Sequence, residues 1–184
     1  LETYALAVKA MRSFPNDHEV QARGCWGLAL GAVTHAHNIV RCGGAEAVIA
    51  AMSAFQTDDR LQAEGCETLR ILASKREGQR VACQAGGVKA ACMAAAMHSE
   101  SKRVQQEAAG ALTKLAGTDP LGVLGQGGLE AIVHVMNMFP RYSWVQVWGC
   151  QAMKQFALVD VRRVEGVSGF EKVQEVMTSH KTVE

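Results

Sequence analysis

The sequence predicts an all-α fold, a solenoid of stacked helical repeats, and three observations lead there. The first is a phrase that returns: "AEGCETLRILA" at 63–73 comes back as "QEAAGALTKLA" at 106–116. The second is a beat. Val20-Gln21, Leu61-Gln62, Val104-Gln105 and Val145-Gln146 recur in steps of 41, 43 and 41 residues. Leu28, Leu69, Leu112 and Met153 keep the same step, as do Ala32, Ala73, Ala116 and Ala157. The third is a double glycine, Gly43-Gly44, Gly86-Gly87 and Gly127-Gly128, with a degenerate Ser168-Gly169. A fixed period of this length marks a protein whose units bury their apolar faces only against neighbouring units.

Within a unit, each element follows from spacing. The stretch 45–55, "AEAVIAAMSAF", carries apolar side chains at helical intervals, and its counterparts are 4–14, 88–98, 129–139 and 170–180. Met11, Met52, Met136 and Met177 share a column there, with Ala95 in the third unit. A polar tip follows: "PNDHE", "QTDDR", "SESKR" or "PRYSW". Its Asp, Asn and Ser side chains can accept from the free N–H groups of the next helix, and Asn16 with Glu19 has capping-box spacing. A long helix is expected from about 59 to 74, and equivalently from 18, 102 and 144. A short segment, "GQRVACQA" or "HNIVRC", then leads to the double glycine. The first glycine suits a left-handed helix end, and the pair permits a sharp turn. The chain divides accordingly into a first unit at 1–42 that lacks its opening helix, complete units at 43–85, 86–126 and 127–167, and a partial fifth at 168–184. It begins at Leu1 and not at Met, so a fragment of a longer protein is expected.

Composition narrows the function classes. A net charge of +1 gives no electrostatic reason to expect nucleic acid or an anionic membrane. Hydrophobic residues make up 48% but aromatics only 5%, so the apolar content is mostly aliphatic and suits close helix packing. No apolar run approaches the ~18 residues a membrane helix needs, and no secretory signal stands at the start. Cys25, Cys66 and Cys150 share a column with Ala109, the pattern of a small buried residue. The six cysteines form no C-x-x-C pair. They read as reduced core thiols in a reducing compartment, cytoplasmic or nuclear.

These phrases resemble the armadillo repeat family over essentially the whole chain, most closely in "AGGVKAACMAAAM" (85–97) and "VQQEAAGALTKLAG" (104–117). The two-helix HEAT repeat, without the Gly-Gly turn, is the alternative. The resemblance implies a right-handed superhelix of three-helix units whose long helices line a concave groove for extended peptides or partner proteins. Importin-α-type members carry a Trp on each long helix and an Asn four residues later. Here those positions read Trp26/Leu30, Glu67/Ile71, Gly110/Lys114 and Gln151/Gln155, so the asparagine ladder is absent and nuclear-signal binding is not carried over. The basic groove of the β-catenin type is not matched either, because this groove is mixed.

Helical phase places residues 19, 23, 26 and 30 opposite the core face of the first long helix. The equivalent sets are 60, 64, 67, 71; 103, 107, 110, 114; and 144, 148, 151, 155. The candidate groove residues are therefore Arg23, Trp26, Glu64, Glu67, Arg103, Glu107, Lys114, Trp144, Trp148, Gln151 and Gln155. Three units place an opposite-charge pair at the first two positions, Glu19/Arg23, Arg60/Glu64 and Arg103/Glu107; the fourth places Trp144 and Trp148. Two tryptophans one turn apart read as an apolar anchor for a partner, or alternatively as packing of Trp148 against a following long helix.

Catalytic motifs are set aside. "GVLGQGG" (122–128) has the wrong glycine spacing for a phosphate loop and reads as the inter-helix turn. "HAH" (35–37) offers two metal nitrogens with no third ligand nearby, and "GVSGF" lacks nucleophile-elbow spacing. No enzyme activity, cofactor or metal is expected. The expected function is a protein-interaction scaffold or adaptor. The alternative is an architectural subunit built permanently into a cytoskeletal or organellar assembly. Neighbouring repeats or self-association are expected at the ends.

Overall fold

In the computed structural model, which describes residues 2–167 and Glu171, α-helix is the only regular secondary structure among the described residues. Four helices of medium length are α1 (Glu2–Ser13), α3 (Gly44–Ala54), α6 (Gly87–Met97) and α9 (Gly128–Met138). Each leads through a polar tip into a long helix: α2 (His18–Arg41), α4 (Asp59–Leu72), α7 (Lys102–Ala116) and α10 (Ser143–Ala157). The short helices α5 (Arg76–Gln84), α8 (Pro120–Gly125) and α11 (Val161–Gly166) complete the later units. The long helices pack against one another in chain order, and so do the medium ones. This repeat-like arrangement is compatible with an α-solenoid. The fifth-unit helix expected at 170–180, with Met177, lies outside the described residues apart from Glu171.

The double glycines act in two ways. Gly43, Gly86 and Gly127 have φ of 81°, 92° and 82°, the left-handed region that costs any residue with a Cβ. The second glycine lets the medium helix approach closely. A Cβ on Gly44 would stand 2.9 Å from the carbonyl oxygen of Ile39. "GVLGQGG" is such a turn, running from α8 into α9.

The long helices start where polar tips cap them. Asp17, Asp58 and Ser101 accept from the N–H groups of Val20, Leu61 and Val104. The cap of α2 is thus Asp17 and not Asn16, so the expected Asn16–Glu19 capping box is not made. Asp17 shares the column of Asp58 and Ser101, and Glu19 turns to Arg23 instead. In α10 this column holds Tyr142, which makes no side-chain cap.

The Val-Gln column explains how each long helix is fixed to the medium helix before it. Gln21, Gln62, Gln105 and Gln146 are buried. Each Nε2 donates to two carbonyls at the end of that medium helix: Met11 and Phe14, Met52 and Phe55, Ala95 and His98, Met136 and Phe139. The first carbonyl of each pair is an acceptor of the kind a helix C-terminus leaves free, and a buried one left unpaired costs about 1–3 kcal/mol. The second, at Phe14, Phe55, His98 or Phe139, also accepts a backbone N–H from the polar tip.

One boundary differs from expectation. In the first unit, long and short helices run together as α2, with a kink at His35 (φ −126°, ψ 30°). In the third and fourth units this column holds Asp119 and Asp160, which cap α8 and α11 by accepting from Gly122 and Arg163; in the second it holds Arg76, and α5 starts without a side-chain cap. His35 is instead engaged by Tyr4 and Thr34.

Candidate functional site

The buried glutamines of all four long helices, with the caps of α2, α4 and α7, set the rotation of these helices, and so decide which side chains look away from the medium helices. On α2 this face is Glu19, Arg23, Trp26, Leu30 and Val33, all exposed. Arg23 Nε donates to Glu19 at 2.5 Å. Trp26 is 50% exposed and, with Leu30 and Val33, forms an apolar stripe. Val33 was legible as the next turn of the same series.

Between α4 and α7 the charges are arranged differently from the expected i,i+4 pairs. Arg60 does bond Glu64 at 3.2 Å. Arg103, however, does not take Glu107 on its own helix. It reaches back to Glu64 at 3.8 Å and Glu67 at 3.4 Å on α4. Glu107 is bonded by Arg70, at 2.6 Å, which also lies 3.9 Å from Glu67. The cause is burial. Glu64 is only 3% exposed and Glu107 7%, each closed in by neighbouring helices. A carboxylate removed from water needs a close, charge-assisted partner; for Glu107 the neighbouring helix supplies it through Arg70, and for Glu64 Arg60 on its own helix is joined by Arg103 from α7. Arg70 is the residue the sequence reasoning missed. Its signal was its place one turn after Glu67, beside the face.

Trp148 lies half-buried over the next step. A Cβ on Gly110 would stand 2.9 Å from its ring and 2.5 Å from Cδ of Arg70, so a glycine is needed there. The Arg70 guanidinium sits 5.6 Å from the Trp148 ring centroid, a cation–π contact. The Thr113 hydroxyl donates to the Trp148 carbonyl at 3.0 Å, tying α7 to α10. Trp148 therefore packs onto the helix that precedes it, α7, where the packing alternative had looked to a following one. Trp144 is 63% exposed, with its ring centroid 6.3 Å from that of Trp148. One to two turns farther along, Lys114, Gln151 and Gln155 line a pocket of about 330 Å³ together with Ser74, Thr113 and Lys154.

Two solved structures share this fold. Each is described as the crystal structure of an engineered protein. One matches with a TM-score of 0.78 at 24% identity, over 100% of this chain and 74% of the other. The second matches with a TM-score of 0.75 at 21% identity, over 94% of this chain and 71% of the other. At this identity the likeness shows the fold alone. No protein-family model matches the chain, and no curated protein does.

The remaining candidate chemistry has local partners. His35 bonds Tyr4 and Thr34, and His37 bonds Glu77 at 2.9 Å. Among the described residues no group of three or more His, Cys, Asp or Glu is placed to hold a metal ion. All six cysteines are free. Burial pushes the Cys25 thiol up to about 12, with Glu64 and Asp58 adding to the shift. Burial also raises Cys66, and raises Cys92 to about 11. Such thiols are poor nucleophiles at neutral pH. No helix among the described residues is long and apolar enough to cross a membrane.

Proposed function

We propose that this chain is a segment of an armadillo-type, right-handed α-solenoid, and that it serves as a protein-interaction scaffold. It holds an extended segment of a partner protein across the long-helix face. The observation that carries the reading is Trp144. It stands exposed beside Trp148 at the position where the other three units put Glu19, Arg60 and Arg103. Trp is among the residues enriched in binding hot spots, and the stripe of Trp26, Leu30 and Val33 supplies a second apolar patch at the other end. Packed helices lie ~8–10 Å apart, so three steps from α2 to α10 span roughly 25–30 Å. At ~3.3 Å per residue that is room for about eight extended residues. Six free thiols suit a reducing compartment such as the cytoplasm or nucleus.

The test is selection of displayed random peptides on the immobilised chain. Recovered peptides should bind the wild type and lose roughly thirtyfold or more with Trp144→Ala, the penalty of a hot-spot tryptophan. Peptides that bind the Trp144→Ala variant equally well would contradict the reading.

A further inference from the structure

The charges on the long-helix face are unequally satisfied, and that inequality bears on what the face can hold. Its carboxylates are already engaged: Glu19 by Arg23, Glu64 by Arg60 and Arg103, Glu67 by Arg103 and Arg70, Glu107 by Arg70. Lys114 and Lys154 stand in no ion pair among the described residues. Both line the pocket between α7 and α10, and no acidic residue lines it. Lys114 is half-buried already, and Lys154 is exposed. A chain laid over this pocket would strip water from both ammonium groups. That is costly unless the covering chain brings an anion.

The distance to the apolar shelf follows from helix geometry. Lys114 is four residues beyond Gly110, which lies under Trp148, and Lys154 is six residues beyond Trp148. At 1.5 Å of rise per residue the lysines sit ~6–9 Å along the helix axis from the shelf. An extended chain covers that in two or three residues. Gln151, Gln155 and Ser74 line the same pocket with uncharged polar groups suited to a peptide backbone.

Resting on the proposed peptide-holding role of this face, we infer that the α7–α10 end accepts an acidic segment. An Asp or Glu of that segment sits between Lys114 and Lys154, two or three residues from an apolar side chain on the Trp144–Trp148 shelf. A basic residue at the same place would meet two unpaired cations, so the pocket selects against basic segments as well as for acidic ones.

The experiment uses three synthetic fluorescent peptides of equal length with the same Phe anchor. The residue three positions from the anchor is Glu, Gln or Lys. Anisotropy titrations are run on the wild type, on Trp144→Ala and on the Lys114→Glu/Lys154→Glu double variant, each checked for unchanged helical content. The wild type should favour the Glu peptide over the Lys peptide by roughly tenfold, the sum of several exposed pair terms. The preference should shrink as salt is raised. The double variant should invert the order. If the wild type binds all three peptides equally and Trp144→Ala binds none, the acidic assignment is overturned and the groove stands. If the double variant keeps its preference for the Glu peptide, the lysines are not the reason and the inference fails. No binding of any peptide to the wild type would overturn both readings.

Discussion

Met52 fills the space that a side chain on Gly65 would need, its Sδ 2.5 Å from where a Cβ would stand. Met11 lies in the same way against Gly24, and Met136 against Gly149. In the third unit both columns change together: Ala95 replaces the methionine and Ala108 the glycine, and both are buried. Bulk lost from one helix is partly returned by the other. Gly65→Ala is expected to overpack this site by about 1–3 kcal/mol, exceeding the ~1 kcal/mol that Ala gains over Gly in a helix. Met52→Ala alone should cost about 2–5 kcal/mol. The double variant recreates the third-unit pair and should lose clearly less than the two singles together. Denaturant unfolding of all four proteins measures this, and simple additivity would count against the complementary packing.

The buried glutamines make a second prediction. Gln62→Met keeps the volume but leaves the Met52 carbonyl without its donor, while the Phe55 carbonyl keeps the Asp58 N–H at 3.1 Å. With one orphaned acceptor, the loss should be about 1–3 kcal/mol. Gln21→Met and Gln146→Met should behave alike, because the same two bonds recur in each. A loss within experimental error at Gln62 would mean that the Met52 carbonyl finds water instead.

Much of this fold was legible because a repeat states its own pattern several times. The columns of Leu28, Leu69, Leu112 and Met153 placed the long helices correctly, and all four side chains are buried. The medium helix expected at 45–55 is found at Gly44–Ala54, and the long one expected at 59–74 at Asp59–Leu72. What failed depended on neighbours. Periodicity records which side of a helix is buried, but not which adjacent helix a long arginine reaches. Arg103 could have bonded Glu107 within its own helix; only packing brings Glu64 and Glu67 nearer. Trp148 was ambiguous for the same reason, since its ring sits over a glycine on another helix. The recurrence of Gln in all four units was visible, but its hydrogen bonds were not.

Arg70 and Arg60 should differ sharply. Arg70→Ala removes the close partner of the buried Glu107 and the cation over Trp148. Leaving a buried carboxylate unpaired should cost about 3 kcal/mol or more. Arg60 is well exposed, and Glu64 keeps Arg103 nearby, so Arg60→Ala should cost less than about 1 kcal/mol. Equal melting temperatures for the two variants would remove Arg70 from its central place on this face.

The core thiols make stability depend on alkaline pH. Burial raises the folded-state pKa of Cys25 from the ordinary 9.0 to about 12. The unfolded chain therefore loses the proton first. The contribution is fully present below about pH 9 and is lost as pH rises toward 12. Cys25→Ala should flatten that alkaline decline. Cys66→Ala should be mild, since Ala109 fills the equivalent position, whereas Cys66→Leu should cost about 1–3 kcal/mol by overpacking. A Cys66→Ala protein that fails to fold would contradict the small-core-residue reading.

The most direct measurement follows the indole N–H signals of the three tryptophans during titration with a peptide selected on the wild-type chain. Trp→Phe variants assign Trp26, Trp144 and Trp148 individually. The Trp144 signal should move most, followed by Trp148 on the shared shelf, at peptide concentrations matching the affinity found independently. Saturating binding that leaves both signals in place would put the partner elsewhere on the molecule and contradict the long-helix face as its site.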